Sequence, residues 1–410
     1  MIGLMPCDRH LESLVCRRVR YSYRRRTFEF DLSQALFSSA GVDAGTQLLL
    51  GLIAGRLATE SFSRVVDVGC GAGTLGVAVA GSCGARLEAL DRDALAVAFT
   101  ERNARLNSIE RADVYPALSP PQPRDDRARA ERELVVCNLP AKAGEPVLRM
   151  LVSRMIRLAE ASQGACALVI VTPLAEFLEN ELRASGAEVI ADRRTANHLA
   201  VYARGGALCE AGGPDELSAF FRTVCDFQGP RGQYRLQTVY NLPEFDGLSY
   251  RTALAFDLLS LQRVAGSAVL YGCGQGHLLV GLSQMMTRNA RLVVADRDLL
   301  ALKIAGSNAE HVGLTGVRRE IVPGLSAVAD VAEPGSVDWL VVNDDPVPGS
   351  TWNDAVADSA GRMLGPTGQL LLVSRSTSVS RFERHVGRRF RVIADRRMHG
   401  FRATLFRRRH

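Results

Sequence analysis

The feature that most constrains this chain is that it contains the same series of landmarks twice. Gly69-Cys70-Gly71-Ala72-Gly73 returns as Gly272-Cys273-Gly274-Gln275-Gly276, and Asp91-Arg92-Asp93 returns as Asp296-Arg297-Asp298. The run VVCN ending at Asn138 returns as LVVN ending at Asn343, and VIADRR occurs unchanged from Val189 and from Val392. The offsets are 203, 205, 205 and 203. Four matches in order at nearly constant spacing mean two copies of one folding unit. The approach segment repeats as well: Gly41, Thr46, Leu48 and Leu52 align with Gly247, Thr252, Leu254 and Leu258. With 410 residues to divide, we expect one domain over 1–204, a second over 217–410, and a linker in the Gly-rich stretch 205–216, whose composition offers no periodic apolar face.

Within each copy short β-branched runs alternate with helical periodicity. The first copy reads as strand over Arg64–Val68, helix over Leu75–Ala80, strand over Arg86–Leu90 and helix over Ala94–Leu106, with further strands at Leu134–Cys137 and Ala167–Val171. Such alternation specifies an α/β fold, each copy a mostly parallel sheet flanked by helices. Ligands in sheets of this kind bind beyond the carboxyl ends of the strands.

Composition narrows the class. Hydrophobic residues make up 47% of the chain, enough to bury two cores, and no apolar run approaches the length of a membrane span. Asp8, Arg9 and His10 interrupt the start before a signal-peptide core could form, so a cytoplasmic protein is expected. The nine cysteines include no CxxC pair, and neither disulfides nor a metal site is expected. Net charge is +6, with arginines gathered at Arg17, Arg18, Arg20, Arg24, Arg25 and Arg26 around Tyr21 and Tyr23, and again at Arg407, Arg408 and Arg409. Arginine beside aromatics suits phosphate and base contacts, while a solvated basic face is the plain alternative.

The segment Asp67-Val68-Gly69-Cys70-Gly71-Ala72-Gly73-Thr74 sets an acid at the end of a strand, then glycines alternating with small residues, then a helix start. Glycine lets the backbone turn tightly and approach a ligand closely. The spacing is GxGxG, and position 74 is Thr rather than the third Gly of the dinucleotide signature GxGxxG, which points away from a nicotinamide cofactor and toward S-adenosylmethionine. Asp67 can receive the methionine ammonium, directly or through water. Asp91, with Arg92 beside it, ends the next strand and can accept the ribose hydroxyls. Gly69, Cys70, Gly71 and Gly73 complete the expected cofactor-binding set.

Asn138-Leu139-Pro140-Ala141 follows the fourth strand, where a methyl acceptor would face the sulfonium. An Asn carbonyl and the next backbone carbonyl can accept hydrogen bonds from an exocyclic amine, and Pro140 keeps the loop extended. Methyl transfer from a sulfonium is an in-line displacement, so placement can supply much of the acceleration. Asn138, Leu139 and Pro140 are therefore the expected catalytic residues, Asn138 bordering the cofactor too. These residues resemble the methyltransferase small-domain family, especially ribosomal RNA guanine-N2 methyltransferases, whose bacterial members are also duplicated Rossmann-like proteins. The pieces that carry the resemblance are Phe37-Ser38 followed by Val42-Asp43-Ala44-Gly45-Thr46, DVGCGAGTLG from Asp67, and NLPAKAG from Asn138. It implies two tandem Rossmann-like methyltransferase domains, a place for Asp43 and Thr46 beside the cofactor, and a grip on the target amine by Asn138 and Pro140.

The chain departs from the family pattern at Leu139, where the tetrad has Pro, and at Ala141, where an aromatic stacks on the base. Losing that platform forfeits roughly 1–3 kcal/mol. Lys142, one of two lysines, sits in the same loop, within reach of a substrate phosphate or simply solvated. In the second copy Leu270 stands in place of Asp67, Asn343-Asp344-Asp345-Pro346 replaces the tetrad, and Ser249 and Arg251 replace Asp43 and Gly45. That copy reads as catalytically silent, serving folding or substrate recognition, whereas in the bacterial family members the second copy is the active one. The expected function is methylation of a guanine amine in ribosomal RNA, with ribosomal RNA or the ribosomal subunit as partner. A small-molecule methyltransferase of specialised metabolism is the alternative, and a non-enzymatic RNA-binding factor is the third class.

Overall fold

A computed structural model describes residues 8–122, 132–205, 216–287 and 291–409. The chain divides into two compact units, Val15–Phe220 and Phe221–His410, the second also taking in helix α1 (Asp8–Leu14). The amino-terminal helix thus departs from the expected boundary at residue 1, and its Leu11 and Leu14 are buried. Apart from Gly205 and Glu216, the expected linker lies outside the described residues.

The first unit opens with an element the sequence reading did not anticipate, an antiparallel hairpin of β1 (Arg17–Tyr23) and β2 (Arg26–Leu32). Its two-residue turn puts Arg24 and Arg25 at φ 45° and 66°, the doubly positive geometry that matches strand twist in a tight hairpin. Phe28, Phe30 and Leu32 face the core. The arginine cluster lies on this hairpin and is largely spent within the unit. Arg18 makes a two-pronged pair with Asp31 and Arg20 pairs with Glu29, each directly across the strands. Arg17, Arg24 and Arg26 donate to the carbonyls of Ala40, Leu57, Gly81 and Asn107.

Then follow α2 (Ala44–Arg56), β3 (Arg64–Val68), α3 (Thr74–Cys83), β4 (Arg86–Asp91), α4 (Ala94–Leu106), β5 (Ala112–Pro116), β6 (Glu133–Asn138), α5 (Glu145–Ala161), β7 (Ala165–Val171), α6 (Ala175–Ala184), β8 (Glu188–Arg194) and β9 (His198–Arg204). The sheet order is β5-β4-β3-β6-β7-β9-β8, parallel except that β9 runs antiparallel to β7 and β8. The order reverses between β3 and β6, so a crevice opens at their carboxyl ends. Val65, Val66 and Val68 fill a strand buried on both faces. At the opposite end of that strand Arg64 is buried and bridges Glu88 and Glu133, each at 2.7 Å.

The second unit repeats the plan. Hairpin β10 (Phe221–Gly229) and β11 (Gly232–Val239) precede α7 (Tyr250–Ser260), β12 (Ser267–Tyr271), α8 (His277–Met285), β13 (Arg291–Asp296), α9 (Leu299–His311), β14 (Arg318–Ile321), β15 (Val337–Asn343), α10 (Trp352–Met363), β16 (Leu364–Arg375), α11 (Ser376–Val386), β17 (Phe390–Met398) and β18 (Phe401–Arg408). Its sheet order, β14-β13-β12-β15-β16-β18-β17, is that of the first unit. VIADRR becomes the edge strands β8 and β17. Among the described residues no helix is long and apolar enough to cross a membrane.

Candidate functional site

Strand β3 ends at Asp67 and Val68, and the chain turns through Gly69, Gly71 and Gly73 at φ 72°, 57° and 76°. These left-handed values strain any residue with a Cβ. The glycines serve two purposes. A Cβ at Gly73 would come within 3.0 Å of Thr100 and one at Gly76 within 2.6 Å of Asp67, so those two permit close packing of α4 and β3. A Cβ at Gly69 or Gly71 would meet nothing within 4 Å, so those two border open space. Several of the loop's own N–H groups are occupied: Gly69 and Cys70 donate to the Leu90 carbonyl, Gly71 donates to Asp91 Oδ2, and Gly73 donates to the Cys70 carbonyl. What the loop offers a ligand is therefore a backbone surface without side chains.

Asp67 is buried, and its Oδ2 accepts the N–H of Gly76 in the first turn of α3. Burial pushes its carboxyl pKa up to about 7, with the neighbouring Asp91 adding to the rise. Asp91 ends β4 with both oxygens engaged, Oδ2 by Gly71 N–H and Oδ1 by Asp93 N–H at 2.9 Å. Burial raises its pKa while Arg92 opposes the rise. Each carboxylate oxygen keeps a second lone pair for a hydroxyl donor. Cys70 is buried, receives a bond from Thr100 Oγ1, and has its thiol pKa raised well above normal by burial, so its side chain packs rather than reacts.

The acceptor side is built on the amino end of α2. Asp43 caps this helix, its Oδ1 accepting from Thr46 N at 3.0 Å. The same Oδ1 accepts from Asn138 Nδ2 at 3.0 Å, and Thr46 Oγ1 accepts from Nδ2 at 3.2 Å. With its amide N–H bonds directed there, Asn138 keeps its Oδ1 as an acceptor. Leu139 is buried and tied by its N–H to the Val169 carbonyl, whereas Pro140 and Lys142 are exposed. The fold thus brings Asp43, Thr46, Asp67, the glycine loop, Asp91 and Asn138 to the carboxyl edge of one sheet.

Three residues were missed at the level of sequence. Asn103 on α4 donates to the carbonyls of Ala72 and Asp31 and accepts from Asp31 N–H, clipping the glycine loop to the hairpin. Asn308 does the same with Gln275 and Gln237. Their offset of 205 was available as a signal. His198, at the start of β9, lies against α2: a Cβ on Gly45 would come within 3.1 Å of its ring and 3.2 Å of Asp43 Oδ1.

In the second unit the corresponding space is closed by the chain itself. Leu270 is fully buried in place of the acid. A Cβ on Gly272 would lie 2.1 Å from the Asn343 carbonyl oxygen, where Gly69 borders open space. Asn343 Nδ2 donates to the Gly272 carbonyl, and Arg251 donates to Asp345 Oδ2 at 3.0 Å and to the Val373 carbonyl. Asp344 is half-buried, desolvation pushes its carboxyl pKa up to about 6, and it accepts from Trp352 Nε1. Asp296 stands like Asp91 at the end of its strand and takes N–H bonds from Cys273 and Asp298.

Residues 27–185 match the family model of the methyltransferase small domain. A 74-residue segment is 42% identical to ribosomal RNA small subunit methyltransferase C of Chromohalobacter salexigens, covering 18% of this chain and 22% of that protein. A 128-residue segment is 27% identical to ribosomal protein L11 methyltransferase of Prochlorococcus marinus, covering 31% of this chain and 41% of that one. The matched segments thus span less than half of these relatives. Over the whole chain the fold resembles the T. thermophilus 16S rRNA N2 methyltransferase solved with AdoMet and guanosine, at a TM-score of 0.65 and 17% identity, covering 97% of this chain and 99% of that one. At that identity the likeness establishes the tandem fold.

Proposed function

We propose that the first unit, Val15–Phe220, is an S-adenosylmethionine-dependent methyltransferase acting on the exocyclic amine of a guanine in ribosomal RNA, and that the second unit is a silent copy serving substrate recognition. The observation that carries this reading is the fixed amide of Asn138. Held through Nδ2 by Asp43 and Thr46, it presents Oδ1 to an amine N–H at the carboxyl edge of the sheet. The names of the small-subunit rRNA relative and of the structure bound to AdoMet and guanosine point to the same substrate.

The residues present suit the cofactor. Gly69 and Gly71 leave room against the backbone, Asp91 retains lone pairs for ribose hydroxyls, and the buried Asp67 supplies negative charge for an ammonium, reached through the loop rather than by open contact. When bound, the cofactor supplies a methyl group on a sulfonium. The chain's part is to hold the acceptor nitrogen in line with it. Asn138 Oδ1 and the following carbonyl accept the two amine protons, which orients the nitrogen lone pair and favours charge build-up on nitrogen as the bond forms. No strong base is needed, because the proton leaves after the nitrogen has become cationic. The second unit lacks both conditions: its acid is Leu270, and its acceptor loop is committed to the Arg251–Asp345 pair.

The test is transfer of labelled methyl groups to ribosomal RNA and to small ribosomal subunits by wild type and Asn138→Ala, with cofactor affinity measured calorimetrically. The expected result is label in RNA, a loss of at least roughly 100-fold in Asn138→Ala as found for removal of one aligned hydrogen-bonding group, and cofactor affinity changed only slightly. Label that enters small metabolites and never RNA would overturn the substrate assignment. Cofactor binding that is abolished by Asp296→Ala and not by Asp67→Ala would overturn the choice of unit.

A further inference from the structure

The chain's positive charge has an address. Residues 376–410 hold eleven arginines against two acids, Glu383 and Asp395, a net of +9 that exceeds the +6 of the entire chain. The rest of the protein is therefore slightly acidic, and the basic hairpin at residues 17–26 is engaged in its own bonds.

Six of these arginines meet at one corner of the second unit. Arg407 lies directly across from Arg391, and Arg408 across from Phe390, where β18 ends and β17 begins. Arg388 and Arg389 precede β17, and the Arg409 N–H bonds the Arg389 carbonyl. Because β18 runs antiparallel to β16, this corner lies at the amino edge of the sheet, away from the glycine loop. Arg388, Arg391, Arg408 and Arg409 are exposed and, among the described residues, take part in no ion pair; the acid paired with the group there is Asp358, 3.5 Å from Arg389. Arg407 Nε is buried with no hydrogen-bond partner among the described residues.

The internal duplicate shows that this arrangement is not imposed by the fold. At the same cross-strand position the first unit places Glu188 opposite Arg204, and Arg204 is bonded to Glu60. Opposite charges facing across a strand pair stabilise a sheet, and like charges destabilise it. The second unit carries Arg391 against Arg407 and accepts that repulsion.

We propose that this arginine corner, centred on Arg388, Arg391, Arg407 and Arg408, is a docking surface for the phosphate backbone of RNA. The guanidinium fork matches phosphate oxygens in pairs, and several forks fixed on adjacent strands and the preceding turn can track successive phosphates. The inference rests on the RNA reading of the first unit and assigns the second unit its part in that reaction: it holds the polyanion while the first unit presents Asn138 to the base.

The experiment uses the full-length protein and a labelled RNA hairpin of about 20 base pairs, with affinity measured by anisotropy from 50 to 200 mM salt. The variants are Arg388→Ala/Arg391→Ala/Arg408→Ala, the matching triple Lys variant, and Arg17→Ala/Arg20→Ala. Each phosphate contact contributes close to one unit of slope in log affinity against log salt. Loss of three contacts should lower the slope by about 2.7, so that the fourfold salt increase weakens the Ala variant about 40-fold less than wild type. The Lys variant should keep the slope, and the hairpin variant should match wild type. Cofactor affinity, which belongs to the first unit, should be unchanged in all of them. Wild-type slope in the triple Ala variant would overturn the surface while leaving the RNA reading intact. Wild type that does not bind RNA at all would overturn both, and phosphatidylserine vesicles bound as tightly as RNA would replace the polyanion with a membrane surface.

Discussion

Replacing Asp67 with Asn tests the most strained electrostatic feature of the site. The carboxyl is enclosed, and its pKa rises from 3.8 to about 7, chiefly through desolvation by burial, with Asp91 adding and the Gly76 N–H opposing. The folded state therefore binds this proton more tightly than the unfolded chain does. The stability it contributes is complete below the unfolded value near 3.8 and is lost as pH rises through about 7. A shift of about three units at about 1.4 kcal/mol each amounts to about 4 kcal/mol at most between pH 4 and pH 8. Asn is neutral throughout and keeps an oxygen for Gly76, so the difference in stability between Asp67→Asn and wild type should grow in the variant's favour across that range. Urea unfolding followed by far-UV circular dichroism at pH 4.5, 6 and 8 measures it. The two tryptophans, Trp339 and Trp352, both lie in the second unit, so their fluorescence reports a transition that should not move. The same carboxylate should make wild-type cofactor affinity weaken by up to tenfold per pH unit below about 7, while Asp67→Asn binds weakly at every pH. A stability difference that is constant with pH would refute the reasoning, because it would mean that Asp67 titrates alike in the folded and unfolded chain.

Three further outcomes follow from the geometry. Gly69→Ala, at φ 72° and beside open space, should cost cofactor affinity at least tenfold by calorimetry, with about 1–2 kcal/mol of backbone strain, whereas Gly274→Ala in the second unit should leave cofactor affinity untouched. Arg64→Met strands Glu88 and Glu133 in the core and should destabilise the first unit by about 3–5 kcal/mol in urea unfolding; a loss under 1 kcal/mol would mean that the two acids find other partners. Arg251→Ala removes the partly buried partner of Asp345 and should lower the tryptophan-monitored transition by about 1–3 kcal/mol, with methyl transfer retained if the second unit is silent.

Much of this protein was legible without a structure because it is written twice. The repeated GxGxG turn, the strand-end acids and the Asn that closes the fourth strand located two sheets of one kind, and the central elements fall within a few residues of their expected limits. The apolar runs were informative there because those strands are buried on both faces and alternate with helices whose opening turns are buried as well. It failed at the hairpins: β1 is written almost wholly in arginine and tyrosine, and its strand character comes from pairing with Asp31, Glu29 and the core-facing phenylalanines of β2. The arginine run there left a nucleic-acid surface and a solvated basic face both open, and the structure ties Arg18 and Arg20 into cross-strand ion pairs.

The sequence by itself determined the fold class, the duplication, the loss of the acid at Leu270 and the glycine turn with its strand-end acids in the first copy, since each depends on local backbone demands or on comparison of the chain with itself. Tertiary structure alone decided the rest. It turned the Asn138 amide toward Asp43 and Thr46, placed Asp67 where burial raises its pKa, filled the second acceptor site with Arg251 and Asp345, and gathered arginines from the turn before β17 and the end of β18 into one corner. Those outcomes depend on which distant residues meet and how much water is removed between them, and no pattern along the chain carries that information.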